Sequence, residues 1–331
     1  MNPIPLSRGT QLVPYVEFLE RLGAPVERGF EKYRLPRGEQ PYAEALVSTR
    51  ALFSFVEAMG RQEGVDDFGW RAATATQLSP GLQNALRSAP TLLQALERAS
   101  ALCNTESSMA RTWIVSRGNS AYFCHRGSLE LGVSGASEAN LMRTGVAISI
   151  IRMFAGPDWV PTETGLVSDR NIGSLMREAL RDGKVCPATN YGWVRFPRSL
   201  LALPPRPQLQ GEARSKIAQD TPPAQDLAGS LEQFLSPYIG ERMPTLREAA
   251  EMVGTSSRSL QRSLVRSNTS YRDVLNRVRF RYACERLNER HVKVLEIADA
   301  TGFINPAHFT RFFRSFAGVS PQEYRVGLSG P

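Results

Sequence analysis

Cysteine, histidine and lysine are all scarce in this chain of 331 residues, which has four, three and four of them. The cysteines (Cys103, Cys124, Cys186, Cys284) are dispersed, with no C-x-x-C pair. That excludes the ligand spacings of zinc ribbons and redox motifs. A disulfide framework is not expected in a chain of this size, so the four read as small buried hydrophobes. The histidines His125, His291 and His308 include no pair at i, i+4, which excludes a zinc-protease helix. No metal and no cofactor is expected. Long apolar runs are missing as well. The stretch from Gly145 to Ile151 is stopped by Arg152, well short of the ~18 residues of a membrane span. The opening MNPIPLSRGTQLVPYVEF lacks the basic region followed by an apolar block of a secretory signal. The expectation is a cytoplasmic protein with no membrane partner.

Enzyme signatures are absent too. The sequence has no P-loop, no G-x-G-x-x-G, no G-x-S-x-G and no H-E-x-x-H. Cys124 and His125 are adjacent, so on a strand they point to opposite faces and cannot form a thiolate–imidazole pair. An alkyl-accepting repair protein would need a clustered cysteine site, which is not there. The chain is expected not to be an enzyme.

What is present is ordinary globular composition, 42% hydrophobic and 22% charged. The length suffices for two domains, each with its own core. Net charge is +8, and Pro244 to Val326 carries fourteen cations against eight anions, +6 of that total. Thirteen of the fourteen are arginine, whose planar fork suits phosphate and guanine. Lysine is rare throughout, so the location of the charge, rather than its chemical identity, points to a polyanion.

Two proline-rich stretches, Leu203-Pro-Pro-Arg-Pro207 and Thr221-Pro-Pro223, bracket a short polar segment. Proline removes backbone donors and disfavours helix in the residue before it, so the sequence divides into residues 1–205, a linker over 206–224, and residues 225–331. The first part reads as α+β. Helical periodicity runs through Gln11–Leu22, Ala43–Met59 and Leu82–Cys103, the last punctuated at Pro90-Thr91. Arg111 to His125 places β-formers on either side of Arg-Gly-Asn-Ser, the pattern of a hairpin. A long apolar helix follows over Glu138–Phe154, with further strands at Thr164–Val167 and Trp193–Phe196. Trp113, Tyr122, Trp159 and Trp193 can line a pocket or belong to a core or interface. Arg126 and Arg143 can clamp a carboxylate or simply be surface charge.

The last part is helical throughout and repeats itself. Ala250-Glu-Met-Val-Gly254 matches Ala298-Asp-Ala-Thr-Gly302, Leu260-Gln-Arg262 matches Phe309-Thr-Arg311, and Leu264 matches Phe313. Each copy has the parts of a helix-turn-helix. A small alanine allows close crossing, Gly254 or Gly302 supplies the positive φ of the turn, and Ser256 or Asn305 (with Pro306) caps the next helix. Leu260 with Leu264, and Phe309 with Phe313, point inward as i, i+4 pairs. The outward faces carry Arg258, Ser259, Gln261 and Arg262 in one copy and His308, Thr310, Arg311 and Arg314 in the other, a mix that reads base edges. Arg258, Arg262 and Arg311 serve either bases or phosphates. Asn305 reads as a cap, and His308 is open between backbone and base contact. Tyr271–Glu289 reads as one connecting helix capped by Ser270, roughly 28 Å long. That approaches the ~34 Å of a DNA turn, so two recognition helices could enter successive major grooves and bend the duplex. Arg277, Arg279 and Arg281 are expected on its solvated faces. Ser320-Pro-Gln-Glu323 forms a capping box for a last short helix with Tyr324 and Arg325.

These residues resemble a family. Ile297-Ala298-x-x-x-Gly302-Phe303-x-x-x-x-His308-Phe309-x-Arg311-x-Phe313, continuing to Gly318-Val-Ser-Pro321-x-x-Tyr324-Arg325, is similar to the double helix-turn-helix domain of the AraC/XylS transcriptional regulators. Ser88-Ala-Pro-Thr-Leu92 and Val194-Arg-Phe-Pro-Arg-Ser-Leu200 resemble the arabinose-binding-like N-terminal domain of one branch of that family. The resemblance implies a multidomain chain, an α+β sensor and dimerisation domain followed by an all-α domain with two helix-turn-helix motifs joined by a long helix. It implies base-facing positions at Arg258, Gln261 and Arg262 in the first recognition helix and at Ala307, His308, Thr310 and Arg311 in the second. The implied partners are double-stranded DNA at a bipartite site in adjacent major grooves, RNA polymerase, a second copy of the chain, and a small-molecule effector of unknown identity. The family leans towards activators. The alternative is a ligand-independent regulator whose N-terminal domain serves only oligomerisation or partner contact. Two positions depart from the pattern. Asn268 stands where the family usually has glycine, and the apolar Pro306-Ala307 at the start of the second recognition helix makes that half the weaker reader.

Overall fold

A computed structural model describes residues 2–37, 42–75, 78–127, 132, 135–167, 173–181, 183–188, 190–206 and 221–327. Of the expected linker, residues 207–220 lie outside the described residues. The chain divides into two compact units, one of Pro5–Leu35 and Val47–Pro223, the other of Met1–Ile4, Pro36–Leu46 and Ala224–Pro331.

The first unit is α+β. Its elements are β1 (Leu6–Arg8), α1 (Val13–Arg21), α2 (Val26–Tyr33), β2 (Leu46–Ser48, whose first residue belongs to the other unit), α3 (Thr49–Gln62), α4 (Phe68–Ala75), α5 (Pro80–Arg87) and α6 (Leu92–Glu106). Then come β3 (Arg111–Arg117), β4 (Ser120–Arg126), α7 (Gly135–Ala155), β5 (Glu163–Leu166), α8 (Ser174–Leu180), β6 (Lys184–Pro187) and β7 (Gly192–Pro197). Five strands form one sheet in the order β3-β4-β7-β5-β6, antiparallel except for the parallel β5–β6 pair. The β3–β4 hairpin closes with Arg117 opposite Ser120. Gly118 takes φ 58° at the first loop position, where such a turn demands glycine.

Helix α7 is the centre of this unit. Ala147, Ile148, Ile150, Ile151 and Phe154 are buried against Phe123 of β4 and Val194 and Phe196 of β7. Helix α4 crosses it closely because Gly69 leaves no side chain where a Cβ would collide with the Glu138 carbonyl. The Gly69 N–H donates to the Glu138 carboxylate at 2.8 Å, so this buried acid is hydrogen-bonded.

One helix assignment needs correction. The periodicity over Ala43–Met59 predicts helix from the start, yet Leu46–Ser48 is a strand. Ser48 ends it and caps α3, accepting from the Ala51 N–H at 3.4 Å. Three fully buried residues read the same in either period, and the serine cap decides the boundary. The four pocket-candidate aromatics lie elsewhere in the core and sheet. Trp193 covers Gly165, its partner on β5, and meets Tyr122 edge-on at 5.6 Å. Trp113 packs with Tyr191 at 5.3 Å and Trp159 against the core. On β4, His125 Nε2 bonds Thr144 Oγ1 of α7 at 2.9 Å, and burial, with Arg143 nearby, pushes its pKa down to about 3. Cys124 on the same strand has its thiol pushed up to about 11, chiefly by burial.

The second unit is helical: α9 (Leu227–Leu235), α10 (Leu246–Met252), α11 (Ser257–Arg266), α12 (Tyr271–Leu287), α13 (Val294–Ala300), α14 (Pro306–Ala317) and α15 (Pro321–Gly327). The start of the chain contributes here, since the Ile4 N–H donates to Ser230 Oγ of α9 at 2.9 Å.

Candidate nucleic-acid interface

Each helix-turn-helix is assembled by the residues that the repeat pairs. Ala250 and Ala298 are fully buried at the crossings, and Leu260, Leu264, Phe309 and Phe313 are fully buried beneath the second helices. Each of these leucine and phenylalanine side chains contributes roughly 1.5–3 kcal/mol by burial. The turns pass through Gly254 at φ 76° and Gly302 at φ 78°, a region that a Cβ disfavours. Ser256 Oγ accepts from the Ser259 N–H at 3.1 Å and Asn305 Oδ1 from the Ala307 N–H at 2.8 Å. Asn305 is therefore a cap, and Pro306 occupies the first turn of α14. After α11, Asn268 takes φ 51°, and after α14, Gly318 takes φ 76°. Asparagine thus fills the left-handed position in one copy and glycine in the other.

Helix α12 joins the two copies over 17 residues, about 26 Å at 1.5 Å per residue. It is started by a reciprocal capping box between Ser270 and Asp273. It ends at Leu287, two residues before the expected Glu289, where Arg325 of α15 donates to the Leu287 and Val292 carbonyls at 3.2 and 2.7 Å. Of the arginines expected on its solvated faces, Arg281 is exposed and Arg277 and Arg279 are half-buried, and all three have partners within the domain. Arg277 and Arg281 both bond Glu232 of α9, the latter at 2.8 Å. Arg279 is half-buried, with its guanidinium over the Phe303 ring at 5.4 Å. For Arg277 and Arg281 the reason is α9, whose Glu232 lies outside the repeat.

The candidate reading positions lie on two helices. Arg258, Gln261 and Arg262 are exposed on α11; Ala307, His308 and Arg311 are exposed on α14, and Thr310 is half-buried there. Thr310 Oγ1 donates to the Pro306 carbonyl at 3.0 Å, which commits its proton to the helix. No hydrogen bond or ion pair engages the Arg258, Arg262 or Arg311 guanidinium among the described residues. Arg266, which the repeat does not single out, is likewise exposed and unpartnered on α11. With Arg258 and Arg262 it makes an i, i+4, i+8 stripe on one face of the helix. The spacing was the available signal, one turn past Arg262. On α14, by contrast, Arg314 lies 3.8 Å from Glu323.

A family model described as "Helix-turn-helix domain" matches residues 249–326, which run from within α10 to within α15 and so take in both recognition helices and α12. Over those residues, the chain is an AraC-type helix-turn-helix domain. The chain is 40% identical over 82 residues to the ornithine utilization regulator of Pseudomonas aeruginosa, covering 25% of this chain and 24% of that protein. It is 30% identical over 127 residues to the HTH-type transcriptional regulator GlxA of Rhizobium meliloti, covering 38% and 37%. The chain spans between about a quarter and a half of the length of the curated relatives it matches. The solved structure of the transcriptional regulator CdpR from Pseudomonas aeruginosa is 17% identical, covers 91% of this chain and 96% of that one, and has a TM-score of 0.39. Among the described residues, no helix is long and apolar enough to cross a membrane.

Proposed function

We propose that the protein is a cytoplasmic, non-enzymatic, sequence-specific transcription regulator that binds a bipartite DNA site through α11 and α14 in adjacent major grooves. The observation that carries this reading is the pair of capped helices presenting unpartnered guanidiniums to solvent on a domain of AraC type. Arg258, Gln261 and Arg262 read the first half-site; Ala307, His308, Thr310 and Arg311 read the second. The domain division is 1–205 for sensing and dimerisation, 206–224 as linker and 225–331 for DNA. Activation through RNA polymerase, control by a small effector and dimerisation complete the proposal. The apolar cavity in the first unit supports the effector reading over a purely oligomeric role for that unit. The test is thermal unfolding of the full chain against a metabolite panel, followed by DNA retention with each stabilising compound. A compound that raises the melting temperature and changes retention supports effector control. Stabilisation by none of them, with DNA binding intact, favours the ligand-independent alternative.

A further inference from the structure

The first unit has a half-open cavity of ≈ 160 Å³, close in volume to the ~150 Å³ of an apolar protein cavity that accommodates benzene. Its wall is mostly apolar, with Leu52, Phe53, Leu82, Phe123 and Ile150 among the lining side chains. Two polar groups in it are out of place. Tyr15 is 1% exposed, and its hydroxyl has no hydrogen-bond partner among the described residues. A buried hydroxyl left unpaired is costly. Arg143 of α7 lines the same cavity, and its one hydrogen bond among the described residues goes to Asn140 Oδ1 at 3.3 Å. No carboxylate pairs with it there. Gly127 leaves room for the guanidinium, since a Cβ at that position would lie 2.9 Å from three of its atoms. Burial disfavours the Arg143 charge. The same environment pushes the Tyr15 hydroxyl up, by burial first and the Glu138 carboxylate second, with Arg143 opposing.

We infer that this cavity binds a small apolar monocarboxylate, its carboxylate on the Arg143 guanidinium and the Tyr15 hydroxyl and its ring or short chain against the apolar wall. The inference rests on the effector reading above and names its ligand class. A guanidinium offers a carboxylate two parallel donors, the hydroxyl offers a third, and together they remove one unmatched charge and one unmatched donor. The carboxylate lining the cavity, Glu106, is engaged by the Thr10 hydroxyl at 3.3 Å. Thr10, Gln11, Ser79 and Thr112 also line the cavity, but they are uncharged, and the wall's acid is the Glu106 already engaged by Thr10. A zwitterionic amino acid is therefore disfavoured.

The probes are benzoate and hexanoate, with benzyl alcohol as neutral counterpart and L-phenylalanine as zwitterion, titrated calorimetrically into the full chain. Saturable binding of benzoate or hexanoate, with benzyl alcohol and L-phenylalanine at least tenfold weaker, is expected. Arg143→Met should weaken it by roughly ten- to a hundredfold and Tyr15→Phe by about fivefold. Tyr15→Phe removes one oxygen and keeps the ring, so it remains informative if Arg143→Met fails to fold. Equal binding of benzyl alcohol, preference for L-phenylalanine, no binding of either acid, or unchanged affinity in folded Arg143→Met or Tyr15→Phe would overturn the inference. DNA retention measured on the same samples separates the two readings. Acid binding without a change in retention leaves the ligand inference standing and removes effector control, whereas intact retention without acid binding removes the ligand inference alone.

Discussion

The two helix-turn-helix copies share a backbone plan and differ in where their side chains go. In the first, a small aliphatic pair, Leu260 and Leu264, closes the core, and the three arginines of α11 lie at the surface with no partner among the described residues. In the second, Phe280, Phe303, Phe309, Phe312, Phe313 and Tyr324 form one aromatic cluster. More of its arginines have partners. Arg279 stacks on Phe303, Arg325 closes the end of α12, and the exposed Arg314 faces Glu323, leaving Arg311 exposed and without a partner among the described residues. The comparison separates scaffold from reading chemistry. Caps, turn glycines and small crossing residues set the shape in both copies, while the charge available to a phosphate backbone is concentrated in the first.

The largest expected effect concerns the cores. Phe313→Ala should cost about 5 kcal/mol and Leu264→Ala about 3 kcal/mol in urea unfolding, within the usual range for such truncations. Phe313 faces Phe280, Phe309 and Tyr324 at 5.1, 6.0 and 5.4 Å between centroids, and each aromatic pair adds about 0.5–1.5 kcal/mol beyond area. A larger loss for Leu264→Ala would break the contrast. Next come the DNA contacts. Arg262→Ala should weaken specific binding by about 1–3 kcal/mol and relax one base position if it reads guanine; uniform weakening across sequences would assign it to phosphate. Each of Arg258→Ala and Arg266→Ala should reduce the salt slope by about 1 if the stripe follows the phosphates.

Acid provides a smaller effect. The Glu248 carboxylate at the start of α10 is pulled down to about 2, first by the Thr245 N–H and next by Arg242. Its folded value lies below its ordinary 4.5, so its stabilisation is full above that pH and is lost as pH falls towards 2. Glu248→Gln should therefore reduce stability at pH 7 and flatten the loss between pH 5 and 2, read from unfolding midpoints. An unchanged pH profile would remove the carboxylate from the account. The smallest effect separates the two helix ends. Asn268→Gly should stabilise and Gly318→Asn destabilise, each by less than about 1 kcal/mol, measured by thermal unfolding.

Legibility in the sequence followed the range of the interactions. Caps, turn glycines and i, i+4 pairs act within a few residues, and Ser256, Asn305, Gly254 and Gly302 could be assigned from spacing alone. The hairpin around Gly118 and the apolar α7 were legible for the same reason. The arginines of α12 were not, because Glu232 is 45 and 49 residues from Arg277 and Arg281 and no local pattern announces it. Strand β6 pairs in parallel with β5 across α8, and its four residues carry no alternation of their own. The cavity lay equally out of reach. Tyr15 and Arg143 are brought to one wall only by the packing of the first unit, although Arg143 itself could be singled out as a candidate carboxylate clamp.

The central claim, two reading helices of unequal strength on one domain, is tested most directly by selecting DNA from a random pool with the purified full chain. Wild type, Arg262→Ala and Arg311→Ala are compared at one fixed salt concentration. The account predicts a motif of two blocks about one helical turn apart. Arg262→Ala should erase information from the better-defined block and Arg311→Ala from the other, with the smaller loss of affinity. A single block, no enriched motif, or substitutions that leave both blocks intact would contradict it.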